Sequence, residues 1–323
     1  MTDRAFSCAG CGGTDARSHL VFRERSILEC ATCGLFTTWP RLDAEAARRR
    51  YAQGYYSGDG ASRFRVGAAE RIMRVFRRRR ARQLARELGG AAGKRVLDIG
   101  CGRGETLLAL KNMGADVFGT QVSPQAVQAA ADRIGAARVF VGELADAAYP
   151  ASSFDAVTLW HVLEHVTEPL ETLREIARIL KPDGLVYIEV PNAGGATARS
   201  FGTDWLAYDV SHHTFHFTPE SLAALARRAG LAPVREAHLS LEHSPVTLTQ
   251  TWINRALGGD NRLFRSLTYD DDPDAPRGRV PLPIHFATAA ACLPFAVLVS
   301  LWLARRGTGD TYGAYFRRVV PPS

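Results

Sequence analysis

Three groups of residues in this chain have the types and spacing that chemistry needs. The first is 94-KRVLDIGCGRGETLLALKNMG-114, where an apolar run ends in Asp98 and Gly100, Gly102 and Gly104 alternate before a helical pattern begins. Glycines in such a loop let a ligand lie against backbone, and the following helix offers that ligand its amino terminus. A dinucleotide fingerprint needs G-x-G-x-x-G, but here position 105 is Glu105. A carboxylate at Asp98 repels a pyrophosphate and attracts an ammonium or sulfonium group, more strongly when buried. The second group is Cys8-x-x-Cys11 and Cys30-x-x-Cys33, eighteen residues apart, with a glycine after each pair. Four thiolates at this spacing close a tetrahedron on zinc and leave no open coordination position, so the expected zinc is structural.

The third group is histidine with acid. In 160-WHVLEHV-166, His161, Glu164 and His165 are expected on one face of a helical turn. In 204-DWLAYDVSHHTFHFTPE-220, His213 or His212 is expected as a proton acceptor, because imidazole titrates near neutrality. His161 is a further catalytic candidate. His216 is expected to orient the following helix, and Trp205 and Tyr208 either stack on a sugar or pack in the core. No nearby acid spacing supports a second metal at His212, His213 and His216.

These residues need a scaffold that brings them to one edge. From residue 94 to about 240, short apolar strands alternate with helices: 95-RVLDIG-100, 116-DVFGTQV-122, 138-RVFVGE-143, 154-FDAVTLW-160 and 185-LVYIEV-190. Ser123-Pro124, Pro169 and Thr218-Pro219 open helices, while Gly135, Lys181-Pro182-Asp183-Gly184 and Gly230 close them. This alternation predicts a doubly wound, mostly parallel α/β sheet, whose ligands bind at the carboxyl ends of its strands.

S-adenosylmethionine suits the glycine loop: its carboxylate meets the helix end while its amino group and sulfonium fall near Asp98. VLDIGCGRG, FDAVTLWHVLEHVTEPLETLREIARILKPDGLVYIEVPN and HHTFHFTPESLAALARRAG resemble class I S-adenosylmethionine-dependent methyltransferases over most of residues 94–235. The resemblance implies a Rossmann-like seven-stranded sheet in which Asp98, Gly100, Gly102 and Gly104 hold the methionine part. Glu143, beside Leu144 in 142-GEL-144, falls where the adenine-contacting acid is expected. Upstream, CAGC…CATCGLFTTWPRLDAEAARRRYAQGYY is similar to a subgroup with a cysteine-paired module before the catalytic domain, which often accompanies polysaccharide or cell-envelope biosynthesis. One position departs from the family. The second strand usually ends in an acid that grips both ribose hydroxyls, and here Gln121 stands in 118-FGTQVSP-124. A neutral amide accepts from one hydroxyl and donates to the other, without charge assistance.

The chain then reads as a zinc-ribbon-like module (1–40), a helical linker (41–93), a methyltransferase core (94–240), a hydrophobic helical appendage (241–307) and a last strand with tail (308–323). Its net charge of +7 suits an anionic partner, and 71-RIMRVFRRRRARQLAREL-88 alone carries eight arginines. The six cysteines fit a reducing cytoplasm, since four serve one cluster and Cys101 and Cys292 stand apart. Residues 284-IHFATAAACLPFAVLVSLWLA-304 are long and apolar enough to cross a bilayer. Yet 311-TYGAYFRRVV-320 reads as a strand, and the resemblance implies that such a last strand inserts antiparallel in the catalytic sheet; a single crossing would leave it on the wrong side. A monotopic attachment at the cytoplasmic face or a protein-packed helix follows. The functional expectation is O-methylation of a saccharide or lipid-linked glycan. Ribosomal RNA methylation and a non-catalytic cofactor-binding role are the alternatives.

Overall fold

Short apolar runs alternating with helices set the architecture of the core. The computed structural model describes residues 5–22, 24–41, 64–65, 67–258, 261–268 and 280–319. The aromatic turn expected at 54–60 lies outside them. Strands β1 (Ala16–Val21), β2 (Ser26–Cys30) and β3 (Phe36–Trp39) pair antiparallel and carry the cysteine loops. Helix α1 (Gly67–Glu87) precedes the alternating core. That core runs β4 (Arg95–Ile99), α2 (Glu105–Lys111), β5 (Asp116–Gln121), α3 (Pro124–Ile134), β6 (Val139–Val141), β7 (Phe154–Trp160), α4 (Pro169–Ile179) and β8 (Leu180–Pro191). Next come α5 (Ala196–Phe201), the two-residue β9 (Phe215–His216), α6 (Pro219–Arg228) and β10 (Leu231–Ala237). Helices α7 (Ser244–Leu257), α8 (Arg262–Leu267) and α9 (Leu282–Arg305) lead to β11 (Thr311–Arg318).

The main sheet has seven strands in the order β10-β11-β8-β7-β4-β5-β6. Strands β4 to β8 are parallel, and β11 inserts antiparallel between β8 and β10, as the sequence predicts. From β4 the chain moves outward to β5 and β6, then returns to β7 on the other side. This reversal opens a crevice at the carboxyl ends of β4 and β7, where ligands bind in open α/β sheets.

Alternation along the strands divides the core between the two sheet faces. Leu97, Val157 and Val186 pack in one cluster with Leu173 and Ile176 of α4, whereas Val96, Ala156 and Leu185 pack in another with Ala81, Leu84, Leu107 and Leu110. Each fully buried side chain of leucine size contributes roughly 1.5–3 kcal/mol. The helix starts are fixed locally. The Ser123 hydroxyl accepts from the Ala126 N–H, and Thr218 and Ser221 form a reciprocal capping box.

The segment 204–220 is placed differently from expectation. Its β9 pairs with β3, making a four-stranded sheet β1-β2-β3-β9 that joins the cysteine module to the methyltransferase core. Thr38 donates to the His213 carbonyl at 2.7 Å, and its hydroxyl accepts from His216 Nε2 at 3.0 Å. The segment is therefore a seam between modules and does not bring the expected proton acceptor to the crevice. Helix α9 is one continuous 24-residue helix with Pro294 inside it.

Candidate active site

A cavity of about 450 Å³ opens at the carboxyl ends of β4, β5 and β7. Asp98, Gly100, Gly102, Gln121, Glu143 and Leu144 line it, so six of the seven residues assigned to the donor from sequence converge. The seventh, Gly104, caps the start of α2 at φ 73°. A β-carbon there would press on Ala130 Cα at 3.2 Å, so this glycine sets how closely α2 and α3 pack. Gly100 has φ 66°, and a β-carbon there would meet Val162 Cγ2 at 2.5 Å. Both its conformation and its space require glycine.

Asp98 is buried, and Thr158 Oγ1 donates to its Oδ1 at 2.6 Å. Burial pushes its carboxyl up to about 6, against the Thr158 hydrogen bond and the fields of Arg80 and Arg77. Such a group gains when a cation arrives beside it, which suits an ammonium or sulfonium ligand. Gln121 differs in detail from the sequence reading. Its Oε1 accepts from the backbone N–H groups of Val122 at 2.7 Å and Ser123 at 3.2 Å. Both acceptor positions are filled, so the side chain presents only its two N–H donors to a ligand.

The opposite wall is charged. His161 follows directly after β7 with φ 54° and sits between two buried carboxylates. Its Nδ1 lies 3.3 Å from Glu164 Oε1, and its Nε2 lies 3.2 Å from Glu189 Oε1. These are ion-pair contacts rather than aligned hydrogen bonds, for His161 Nε2 and both Glu164 oxygens are buried without a hydrogen-bond partner. Burial pushes the imidazole down, but Glu164 and Glu189 outweigh it and hold it up at about 9. Burial opposes ionisation of Glu164, and the facing His161 and His165 nevertheless bring it to about 2. The segment 161–166 is a tight turn rather than a helical one.

His213 and His212, expected as the base, do not line the cavity. His213 Nδ1 donates to the Ala207 carbonyl at 2.8 Å, and its ring packs 4.7 Å from His165. His212 Nδ1 pairs with Asp209 Oδ2 at 2.8 Å. His165, which does reach the cavity, donates from Nδ1 to the His212 carbonyl at 3.0 Å. Burial and the neighbouring His213 depress its titration to about 3. The ligand-type atoms of Glu164, His165 and His213 lie within 4.8 Å of one another, as do those of His161, Glu189 and His243. In the latter trio Arg80 already supplies the cation, donating to His243 Nε2 at 3.0 Å and facing Glu189 at 3.9 Å.

Several lining residues escaped the sequence reading, among them Arg77, Arg80 and His243. Arg77 and Arg80 reach in from α1, and His243 comes from the loop before α7. Beside them Glu242, itself buried, pairs with Arg77 at 2.5 Å and Arg80 at 2.7 Å. Arg80 also lies over the Trp160 ring at 4.4 Å, and His243 stacks 4.0 Å from His161. Within the arginine run nothing but the helical spacing of Arg80 beside buried Ala81 and Leu84 hints that it points inward. Trp205 and Tyr208 are buried against each other and away from the cavity, with Trp205 Nε1 donating to Asp310 at 3.1 Å.

The four module cysteines come together. Cys8 and Cys33 Sγ lie 3.5 Å apart, as do Cys11 and Cys30 Sγ. Zinc–thiolate bonds of about 2.3 Å put sulfurs near 3.8 Å apart, so this donor set fits a tetrahedral metal. Each pair turns tightly, with Gly12 N–H donating to the Cys8 carbonyl and Gly34 N–H to that of Cys30.

A doubly wound sheet with a glycine loop, a buried acid at its first strand and an antiparallel last strand defines an S-adenosylmethionine-dependent methyltransferase. A model of the methyltransferase domain matches residues 70–236, and the chain belongs to that family. It is 34% identical over 193 residues to a ubiquinone biosynthesis O-methyltransferase from Xanthomonas axonopodis pv. citri, covering 56% of this chain and 77% of the relative. A protein of the same description from Ralstonia nicotianae is 34% identical over 167 residues, covering 48% and 69%. Among solved structures, a putative sarcosine dimethylglycine methyltransferase from Galdieria sulphuraria aligns with TM-score 0.49 at 17% identity, over 84% of this chain and 97% of that one.

Proposed function

We propose that this enzyme methylates a hydroxyl on a quinone-type acceptor with an apolar tail, and that His161 takes the hydroxyl proton. The observation that carries this reading is His161 itself, an imidazole flanked by carboxylates on the wall of the cavity that holds the donor residues. S-adenosylmethionine, when bound, supplies an electrophilic methyl group on a sulfonium. Asp98, the glycine loop, the Gln121 amide and Glu143 hold and orient it. One O–C bond forms, one C–S bond breaks, and the hydroxyl proton passes to the neutral imidazole. Glu164 and Glu189 keep His161 protonated near neutrality, while a cation brought in beside Asp98 favours its neutral form.

The relatives' description supports oxygen as the acceptor atom and a quinone-pathway molecule as its bearer. A saccharide acceptor loses support, because the aromatic pair suited to stack on a sugar is buried in the core. An acceptor of this kind resides in a bilayer, which fits a peripheral enzyme at the cytoplasmic face. We also assign a structural zinc to Cys8, Cys11, Cys30 and Cys33. Elemental analysis is expected to find one zinc per chain, lost in Cys30→Ser.

The test is an acceptor screen with labelled cofactor against prenylated catechols and quinols, lipid-linked glycans and RNA. Turnover of the prenylated phenols with stoichiometric S-adenosylhomocysteine is expected. Turnover confined to glycan or RNA overturns the reading.

A further inference from the structure

We propose that the outer face of α9 is a bilayer-docking surface, and that this helix lies in the interface of an anionic membrane without crossing it. The inference rests on the proposed membrane location, not on the identity of the acceptor.

No Asp, Glu, Lys or Arg occurs between Leu282 and Ala304. Its buried positions, His285, Ala296, Ser300 and Leu303, pack toward α7 and α8. The rest of the helix leaves large apolar groups outside: Phe295 is 66% exposed, Leu298 64%, Trp302 50% and Ile284 47%. These four follow spacings of 11, 3 and 4 residues, which put them within about 60° of arc on one side. A surface helix facing water carries charge on that side; this one carries indole, phenyl and alkyl groups. Such a stripe needs an apolar cover.

By length alone, about 36 Å, the helix could span a hydrocarbon core of about 30 Å. The fold forbids it. Only five residues separate Arg305 from Thr311, where β11 enters the catalytic sheet between β8 and β10. The buried residues include His285 near the helix start and Leu303 near its end, so α9 rests on the protein at both ends. It can therefore meet a membrane only sideways.

The charges at its ends select the cover. Arg305 and Arg306 follow the apolar run, and Arg277 and Arg279 precede it within five residues. The described carboxyl end is basic, and a parallel pairing of two copies across this stripe would set Arg305 and Arg306 against their own copies. Anionic headgroups satisfy these charges. Arg306 lies over the Trp302 ring at 4.2 Å, a pairing of aromatic and cation suited to headgroup depth. The Ser244 hydroxyl, beside the wall residue His243, donates to Thr311 Oγ1 at 3.3 Å in β11, the strand that follows α9.

The experiment uses the full chain with vesicles of phosphatidylcholine alone or mixed with phosphatidylglycerol. The wild type is expected to sediment with the mixed vesicles, and Phe295→Glu/Leu298→Glu to lose about tenfold or more of that partition. Arg305→Glu/Arg306→Glu is expected to lose the preference for the anionic mixture by about tenfold. Calorimetry should show unchanged S-adenosylmethionine binding in both variants, which certifies their folding. Unchanged sedimentation of both folded variants overturns the proposal. So does a wild-type dimer in detergent-free buffer that ignores vesicles and dissociates on Phe295→Glu/Leu298→Glu, which assigns the stripe to self-association. Failure of the acceptor screen leaves vesicle binding unaffected, so the two readings fail separately.

Discussion

The two walls of the cavity are built in different ways. The donor wall comes from strand ends and the loops directly after them: Asp98 to Gly104, Gln121, and Glu143 with Leu144. The charged wall draws Arg77 and Arg80 from α1, His161 from the turn after β7 and His243 from the loop before α7, and behind them stand the buried carboxylates of Glu164, Glu189 and Glu242. A donor residue is required by the backbone around it, so its own segment announces it. A charged-wall residue is required by partners far along the chain, and each segment alone looks ordinary. The donor wall should therefore respond to single changes mainly in binding, and the charged wall in turnover and stability.

The largest effect should come from His161→Ala, lowering kcat by about 10²- to 10⁴-fold with cofactor affinity retained. A change confined to cofactor affinity would move His161 to the donor side. Glu242→Ala leaves Arg77 and the buried Arg80 short of a carboxylate, so a stability loss of about 3–5 kcal/mol is expected in denaturant titration. Gly100→Ala forces a β-carbon onto Val162 and should weaken S-adenosylmethionine about ten- to a hundredfold by calorimetry. Gln121→Glu keeps one oxygen on the Val122 and Ser123 N–H groups and frees another for the ribose. It should tighten the cofactor by about fivefold; no change would place the ribose elsewhere.

The walls also carry opposite pH signatures. Asp98 must be ionised to hold a cation, and its value of about 6 predicts that cofactor affinity falls as pH drops below 6 and is flat above. His161 must be neutral to accept a proton, so kcat should rise with pH toward about 9. The folded His161 binds its proton more tightly than an unfolded histidine. Its contribution to stability is thus complete below about 6.5 and is lost as pH rises through about 9. Turnover should climb over the range in which thermal stability declines.

Sequence alone determined the alternating α/β core, the helix starts at Ser123, Pro169 and Thr218, the cysteine quartet and the donor loop, because each rests on local rules of periodicity, capping, backbone conformation or ligand spacing. Glycine at 100 and an acid at 98 stand within one short loop, and that local pattern is what proposes them for the donor. Tertiary structure decided the rest. His213 and His212 are imidazoles of the type that can accept a proton, but β3–β9 pairing draws them into the seam with the cysteine module. Arg77 and Arg80 differ from the exposed Arg78 and Arg79 in facing Glu242, and Arg80 also lies over Trp160. The apolar run at 284–304 spans or docks according to where β11 lies in the sheet. Position along the chain carries no information about such partners, since a buried charge is defined by what surrounds it.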